Sequence, residues 1–437
     1  MRFVFESMLR GEFKNLIKCP DKNLSGIRRF TPSPVIAELM VAQSYEQNSR
    51  HILTTERVKG EIYIIATGVA HAPWDWCGPD STGLGFNERH PNRQTLFAYI
   101  YKKYLKSLRK GMAYLLIDQS HEGYQTDWLW SWFHNNCKTY GINPKQIIYV
   151  TGNLDCKDQY DEWSRECLPE NKMLVVPYPH FESVISNILN SDLKKYPSFA
   201  QQIEYKQSNL DSIKTYSALQ KRARPHRAWF FKHLSDANLL EAGINSMNTF
   251  KMGDATYEGK IMSDEEYTSV IHKLPMLPPD TERKGLKRFA DQDCGHYLTK
   301  FNDEIMLDTW LTVISEASFG ESEHECFLSE KTFKPIACYH PFIIAGNRLS
   351  LYRLRELGYK TFSPYIDESY DTLTTWPRMA AITKEIARIN NMSPEDKLNW
   401  FIGVKHILDH NYELLKSRSS KTSSTYLKVI EDHITKE

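Results

Sequence analysis

"AYLLIDQSHEGYQTDWLWSWFHNNCKTYGINPKQIIYVTG", residues 113–152, sets two short apolar runs on either side of an aromatic-rich segment. The runs at 113–118 and 146–152 are too short for helices and read as strands. Residues 126–140 between them have a helical pattern and stop at Gly141, a residue type that ends helices by adopting a left-handed backbone. Strand, helix and strand in this order form a crossover unit, which joins parallel strands.

The same alternation extends in both directions. Upstream lie "EIYIIATG" (61–68), a β-branched run ending in glycine, and an amphipathic stretch at 94–109; downstream lie a polar helix near 157–167 and "KMLVVPYP" (172–179). After a polar stretch at 200–213 a second series begins with "TYSALQK" (215–221), a helix "RPHRAWFFKHLSDANLLEAG" (224–243) ending in Gly243, and "SMNTFKM" (246–252). Residues 253–307 read as an irregular insertion. "WLTVISEAS" (310–318), "FIIAG" (342–346) and "YKTFSP" (359–364) continue the strands, and the chain is mostly helical from 377 onward. "SRSSKTSSTY" (417–426) reads as a polar linker before a last short helix. The expected fold class is α/β, with two Rossmann-like domains facing across a cleft, divided at 213/214, and terminal helices. Ligands in open parallel sheets bind beyond the carboxyl ends of the strands, so chemistry is sought in the loops that follow strands.

The 437 residues suffice for two domains, and a composition 41% hydrophobic and 25% charged is that of a folded protein. Formal net charge is +1, from 55 basic and 54 acidic side chains, so the overall balance calls for no polyanionic partner. Nucleic acid as a partner finds no support there, although a local basic patch is compatible with the balance. The eight cysteines are scattered with no C-x-x-C pair and read as reduced thiols. No signal-peptide pattern and no apolar run of membrane-spanning length occurs, so a cytoplasmic protein without a membrane span is expected.

The sharpest motif is "FLSEKTFKPIACYHPFIIAG" (327–346). Ser329 is a good N-cap and Glu330 suits a first helical turn, but Lys331 is a cation at the positive end of a helix dipole. An anion such as a diphosphate would satisfy the cap, the free N–H groups and the ammonium together. The bland alternative, a solvated surface helix, is equally compatible with this stretch alone. "KRARPHR" (221–227) follows a strand and opens a helix, and its Arg224 and Arg227 can grip phosphate oxygens with two donors each. Glu316, directly after an apolar strand, can accept from vicinal hydroxyls, or else pair with a neighbouring cation. In the first half, Asp118 and Glu122 follow one strand and His71 another; each is a candidate general base, and each is also an ordinary structural or solvated residue type.

"ISEAS" followed by the 327–346 segment resembles the donor-binding part of the α1,3-fucosyltransferase family, in which a strand ending Phe-Glu-Asn-Ser precedes a Thr-Glu-Lys helix start and a Val-Pro-Val strand. "RPHRAWFFKHLSDANLLEAG" is similar to the same family's arginine-bearing helix. The likeness covers roughly a quarter of the chain, nearly all in its second half. It implies a GT-B glycosyltransferase with an N-terminal acceptor domain and a C-terminal nucleotide-sugar domain. Arg227 and Lys331 would contact the diphosphate, and Glu330 and Glu316 the ribose or sugar. It also implies inversion, a carboxylate base, no metal and no cofactor beyond the nucleotide-sugar co-substrate, with a glycan or other hydroxyl acceptor. The chain departs from the pattern at Ser315 and Ala317, which bears on the sugar's identity.

Asp291 and Asp293 have the Asp-x-Asp spacing of metal-dependent glycosyltransferases but sit in the irregular stretch. No Walker-type phosphate loop and no G-x-S-x-G elbow occurs. Two other readings share the fold. One is an enzyme that glycosylates DNA bases, for which "SLRKG" (107–111) is too short a basic groove; the other is a non-catalytic nucleotide- or carbohydrate-binding protein.

Overall fold

The computed structural model describes residues 2–4, 52–54, 63–68, 102–120, 123, 128–191, 196–220, 223–276, 303–321 and 325–435. They fall into two compact units, Met1–His180 with Ser420–Glu437, and Phe181–Ser419. Each is built on a wholly parallel sheet.

The first sheet has six strands: β1 (Arg2–Val4), β2 (Ile52–Thr54), β3 (Tyr63–Gly68), β4 (Ala113–Gln119), β5 (Ile147–Thr151) and β6 (Leu174–Pro177), in the order β2-β1-β3-β4-β5-β6. Helices α1 (Lys102–Arg109), α2 (Leu129–Tyr140) and α3 (Cys156–Cys167) belong to this unit. Strand alternation divides the core. Leu115, Ile117, Ile147 and Tyr149 join residues of all three helices, while Tyr114, Leu116, Ile148 and Val150 pack with Leu427 and Ile430 near the chain's end. Both faces are covered, which is why β4 and β5 read as continuous apolar runs. Gly141 ends α2 at φ 62°, as its sequence position predicts.

The second sheet has four long strands: β7 (Lys214–Gln220), β8 (Gly243–Met247), β11 (Thr309–Ser315) and β12 (Phe342–Ala345), in the order β12-β11-β7-β8. A two-strand hairpin, β9 (Thr256–Tyr257) with β10 (Lys260–Ile261), stands apart from it. Helices α4 (His180–Leu189), α5 (Phe199–Ser208), α6 (Pro225–Asp236), α7 (Asp264–Ile271), α8 (Asp303–Leu307), α9 (Glu330–Ala337), α10 (Ser350–Glu356), α11 (Thr375–Asn390), α12 (Pro394–Gly403) and α13 (Lys405–Thr435) complete the series.

Several expectations need correction. The division by contacts falls at 180/181 rather than 213/214, because α4 and α5 are bonded into the second unit. The Glu182 carboxylate accepts from Tyr359 at 2.8 Å and pairs with Arg418 at 3.2 Å, and Gln202 donates to the Cys338 carbonyl at 2.6 Å. The predicted helix 224–243 stops at Asp236, followed by Asn238 at φ 55°, and Gly243 opens β8 instead of closing the helix. A Cβ there would come within 2.4 Å of the Tyr216 ring, so the close approach rather than a cap explains the glycine. "YKTFSP" is not a strand: the Lys360 and Phe362 N–H groups go to the side chains of Asn411 and Glu368. The "irregular" 253–307 region contains α7, begun by a reciprocal Ser263–Glu266 capping box. The supposed linker 417–426 is the middle of α13.

Lys206 on α5 is fully buried and donates to the carbonyls of Met306, Leu307 and Thr309 at 3.2, 2.8 and 2.6 Å, while lying 5.1 Å from the Trp310 and Phe401 ring centres. It thereby satisfies the carbonyl end of α8 and the start of β11. Burial pulls its ammonium down to about 7. Among the described residues no helix is long and apolar enough to cross a membrane.

Two outcomes follow from this packing. Gly243→Ala drives a methyl into Tyr216 and lowers stability by about 1–3 kcal/mol, measured by urea unfolding. For Lys206, the unfolded chain holds the proton to higher pH than the folded one, so its contribution becomes more favourable as pH rises from about 7 toward the ordinary lysine range. Lys206→Met should remove that upward slope from the unfolding free energy, read as midpoints between pH 7 and 10.

Candidate functional site

Strand order points to a place. In the second unit the first and third strands of its own sequence, β7 and β11, are neighbours, with later strands added outward on each side. This is a topological switch point, where loops leave the sheet in opposite directions and open a crevice at its carboxyl edge. The loops there are those after Gln220 and after Ser315, which carry the two motifs singled out from the sequence.

Arg224 occupies the N-cap position of α6 with Pro225 behind it. It is exposed and its Nη1 donates to the Ala317 carbonyl. Arg227, one turn into the helix, is buried and its Nη2 donates to the Ser315 and Glu316 carbonyls at 3.1 and 2.9 Å. His226 Nε2 lies 3.2 Å from the Glu316 carbonyl. Burial, followed by the Arg227 charge, lowers the imidazole to about 3, so the ring is neutral and must carry its proton on Nε2 to donate there.

Glu316 is sealed from solvent and its carboxylate is already engaged. Oε1 accepts from Ser329 N–H at 3.0 Å and Thr332 Oγ1 at 2.7 Å, and Oε2 accepts from Ser329 Oγ at 2.6 Å. Ser329 Oγ in turn caps α9 by accepting from Lys331 N–H at 3.3 Å. The Lys331 ammonium donates to the same Ser329 Oγ at 3.0 Å and pairs with Glu330 at 3.3 Å, with its side chain about one-third exposed. Within the chain, then, the lone cation of the first turn has Glu330 as its counter-charge. Arg227 and Lys331 do converge, since both chains of contacts meet at Glu316, one through its backbone carbonyl and one through its side chain. Lys334, one turn on, is lowered to about 8 by burial.

The loop 315–321 is held from all sides. Tyr257 donates to the Phe319 carbonyl. Asn347 accepts from Gly320 N–H at 2.7 Å, and Arg378 donates to the Gly320 carbonyl at 2.8 Å with its guanidinium 4.4 Å from the Phe319 ring. Sequence reading missed these. Arg378 gave no signal, because an arginine within an amphipathic helix is ordinarily solvated, and here it is buried. Gly346, just after β12, lies where a Cβ would stand 3.4 Å from the Glu316 Cβ and 3.1 Å from Ser350 Oγ, which brings the third loop close to the same point.

In the first unit the switch point lies between β1 and β3. His71 follows β3 by three residues but lies outside the described residues, as do Glu122 and the Asp291–Asp293 pair. Asp118 is described and is fully buried at the end of β4, where its Oδ1 accepts from Ser120 N–H at 2.9 Å. That is a carboxylate closing a turn at a strand end rather than one presented to an acceptor. Among the described residues no three His, Cys, Asp or Glu side chains gather as metal ligands.

No family model and no curated protein sequence matches the chain, so the fucosyltransferase likeness remains a property of the quoted motifs. Solved structures do resemble it. One is the N-terminal domain of Candida albicans trehalose-6-phosphate phosphatase (11% identity, TM-score 0.41, covering 95% of this chain and 77% of that one). Another is a UDP-forming α,α-trehalose-phosphate synthase from Burkholderia vietnamiensis (8%, 0.36, 95% and 80%). A third is the α,α-trehalose 6-phosphate synthase from Burkholderia multivorans (9%, 0.36, 98% and 99%).

The engaged carboxylate makes a direct expectation. Glu316→Ala leaves three buried donors without their acceptor and should destabilise the second unit by about 3 kcal/mol or more. Its unfolding midpoint should fall well below that of Glu316→Gln, which keeps one acceptor oxygen.

Proposed function

We propose that the protein is a glycosyltransferase that moves a sugar from a nucleotide-diphosphate sugar to an acceptor hydroxyl. The observation that carries this reading is the exposed Arg224 and the partly exposed Lys331 at the carboxyl edge of the second sheet, tied to the Ala317 carbonyl and the Ser329 hydroxyl respectively, beside a buried layer of Arg227, His226 and Glu316. In this proposal these two cations receive the diphosphate through charge-assisted hydrogen bonds. The buried layer fixes their positions, so Arg227 and Glu316 act by positioning rather than by touching the donor. Glu330 is taken to contact ribose or sugar, with Ser329 holding the helix start.

Fixed positive charge stabilises a departing diphosphate as it gains charge, which supports a mechanism independent of metal. Inversion belongs to the same proposal: an acceptor hydroxyl loses its proton to a general base as its oxygen attacks the anomeric carbon and the nucleotide diphosphate leaves. Glu122 and His71 are the proposed bases, in preference to Asp118 with its turn-closing bond. The fucosyltransferase-like motifs support a hexose or deoxyhexose donor and a glycan or similar hydroxyl acceptor.

A thermal-shift screen of nucleoside diphosphates and their sugars, with and without EDTA, tests the donor site. A true donor at 100 times its dissociation constant stabilises by about 2.7 kcal/mol, and EDTA should leave the shift unchanged. Lys331→Ala and Arg224→Ala should each weaken that binding about tenfold or more, the worth of one charge-assisted phosphate contact, without lowering the unliganded melting point. A screen with no stabilising nucleotide refutes the reading.

A further inference from the structure

Between Glu88 and Asp118 the sequence has seven lysines or arginines and no aspartate or glutamate, against a formal charge of +1 for the whole chain. The short "SLRKG" is the end of this longer run. Helix α1 displays part of it. Tyr104, Leu105 and Leu108 are buried in the first unit's core, and Lys106, Arg109 and Lys110 are exposed. Among the described residues, Leu105 and the three cations line a concavity of about 550 Å³.

Some helical lysines of the chain have a carboxylate one turn away, as in Lys157–Asp161, Lys232–Asp236 and Lys405–Asp409. Among the described residues, Lys106, Arg109 and Lys110 have none. Arg109 uses its Nε on the Tyr140 carbonyl at 2.6 Å, which holds the guanidinium in place with its remaining donors to spare. The helix dipole favours cations in the last turn, where Lys106 and Arg109 stand, but it disfavours Lys102 and Lys103 in the first. Something other than the dipole accounts for the run.

We propose that this face of α1 binds the phosphodiester backbone of a nucleic acid, without regard to base sequence. A row of unpaired cations at helical spacing matches a chain of regularly spaced phosphates, and releasing counterions from that polyanion drives the association. An anionic membrane fits less well, because an interfacial helix needs a free apolar face to insert and the apolar face of α1 is packed into the core. The inference concerns the first unit and does not rest on the transferase reading.

The test is fluorescence anisotropy of the full chain with a labelled 20-base-pair duplex of two unrelated sequences, a single-stranded RNA of the same length, and phosphatidylserine vesicles, at 50 and 200 mM NaCl. Binding should be alike for the two unrelated duplex sequences, and across that range it should weaken about 12- to 42-fold for duplex and about 7- to 18-fold for the single strand, the loss expected for two to three neutralised phosphates. Lys106→Gln/Lys110→Gln, which leaves the Arg109–Tyr140 bond intact, should bind at least tenfold more weakly at 50 mM with a salt slope shallower by about 2. Lys106→Arg/Lys110→Arg should bind as wild type does. No binding to either nucleic acid, a glutamine variant indistinguishable from wild type, or binding to vesicles alone overturns the proposal.

Discussion

The second unit depends on one buried carboxylate. Glu316 directly follows β11 and its side chain accepts from both the backbone N–H and the hydroxyl of Ser329 and from the hydroxyl of Thr332, so the end of a strand and the start of a helix thirteen residues later are held as one piece. A helix N-terminus has free donors and partial positive charge, and an anionic acceptor there is favoured on both counts. With the carboxylate inside, the ammonium of Lys331 and the guanidinium of Arg224 are left at the rim. Burial of the anion and exposure of the cations follow from the same arrangement.

This layering explains why residues of like type take different parts. Arg224 and Arg227 are three positions apart, yet the first is exposed at the helix cap and the second is buried under the loop it holds by two carbonyls. Arg378 does the same from another helix. Three guanidinium groups thus grip the backbone of a single loop, and multiple donors in a rigid plane suit that work better than an ammonium would.

The sheets were the most legible part of the sequence. Strands buried on both faces become uninterrupted apolar runs, and β4, β5, β7, β11 and β12 all fall within a few residues of the predicted stretches. Their loops after strands also located the motif-bearing edge. Burial was not legible: nothing in "KRARPHR" distinguishes the exposed arginine from the buried one, and the engagement of Glu316 was hidden because the donors to its carboxylate come from a distant segment. The strands β1 and β2, of three residues each, carry too little pattern to find. The 417–426 segment misled through composition, since serine and threonine are only mildly poor helix formers and the following Leu427 and Ile430, three residues apart, are buried on one face of the helix.

The course of α13 has a consequence for how the molecule comes into being. Leu427 and Ile430 cover one side of a sheet whose strands all precede residue 178, while the earlier turns of the same helix belong to the other unit. During synthesis that side stays bare until Leu427 and Ile430 have been made. The first unit's strands are therefore made well before the residues that cover them, and these apolar strands need protection in the interval.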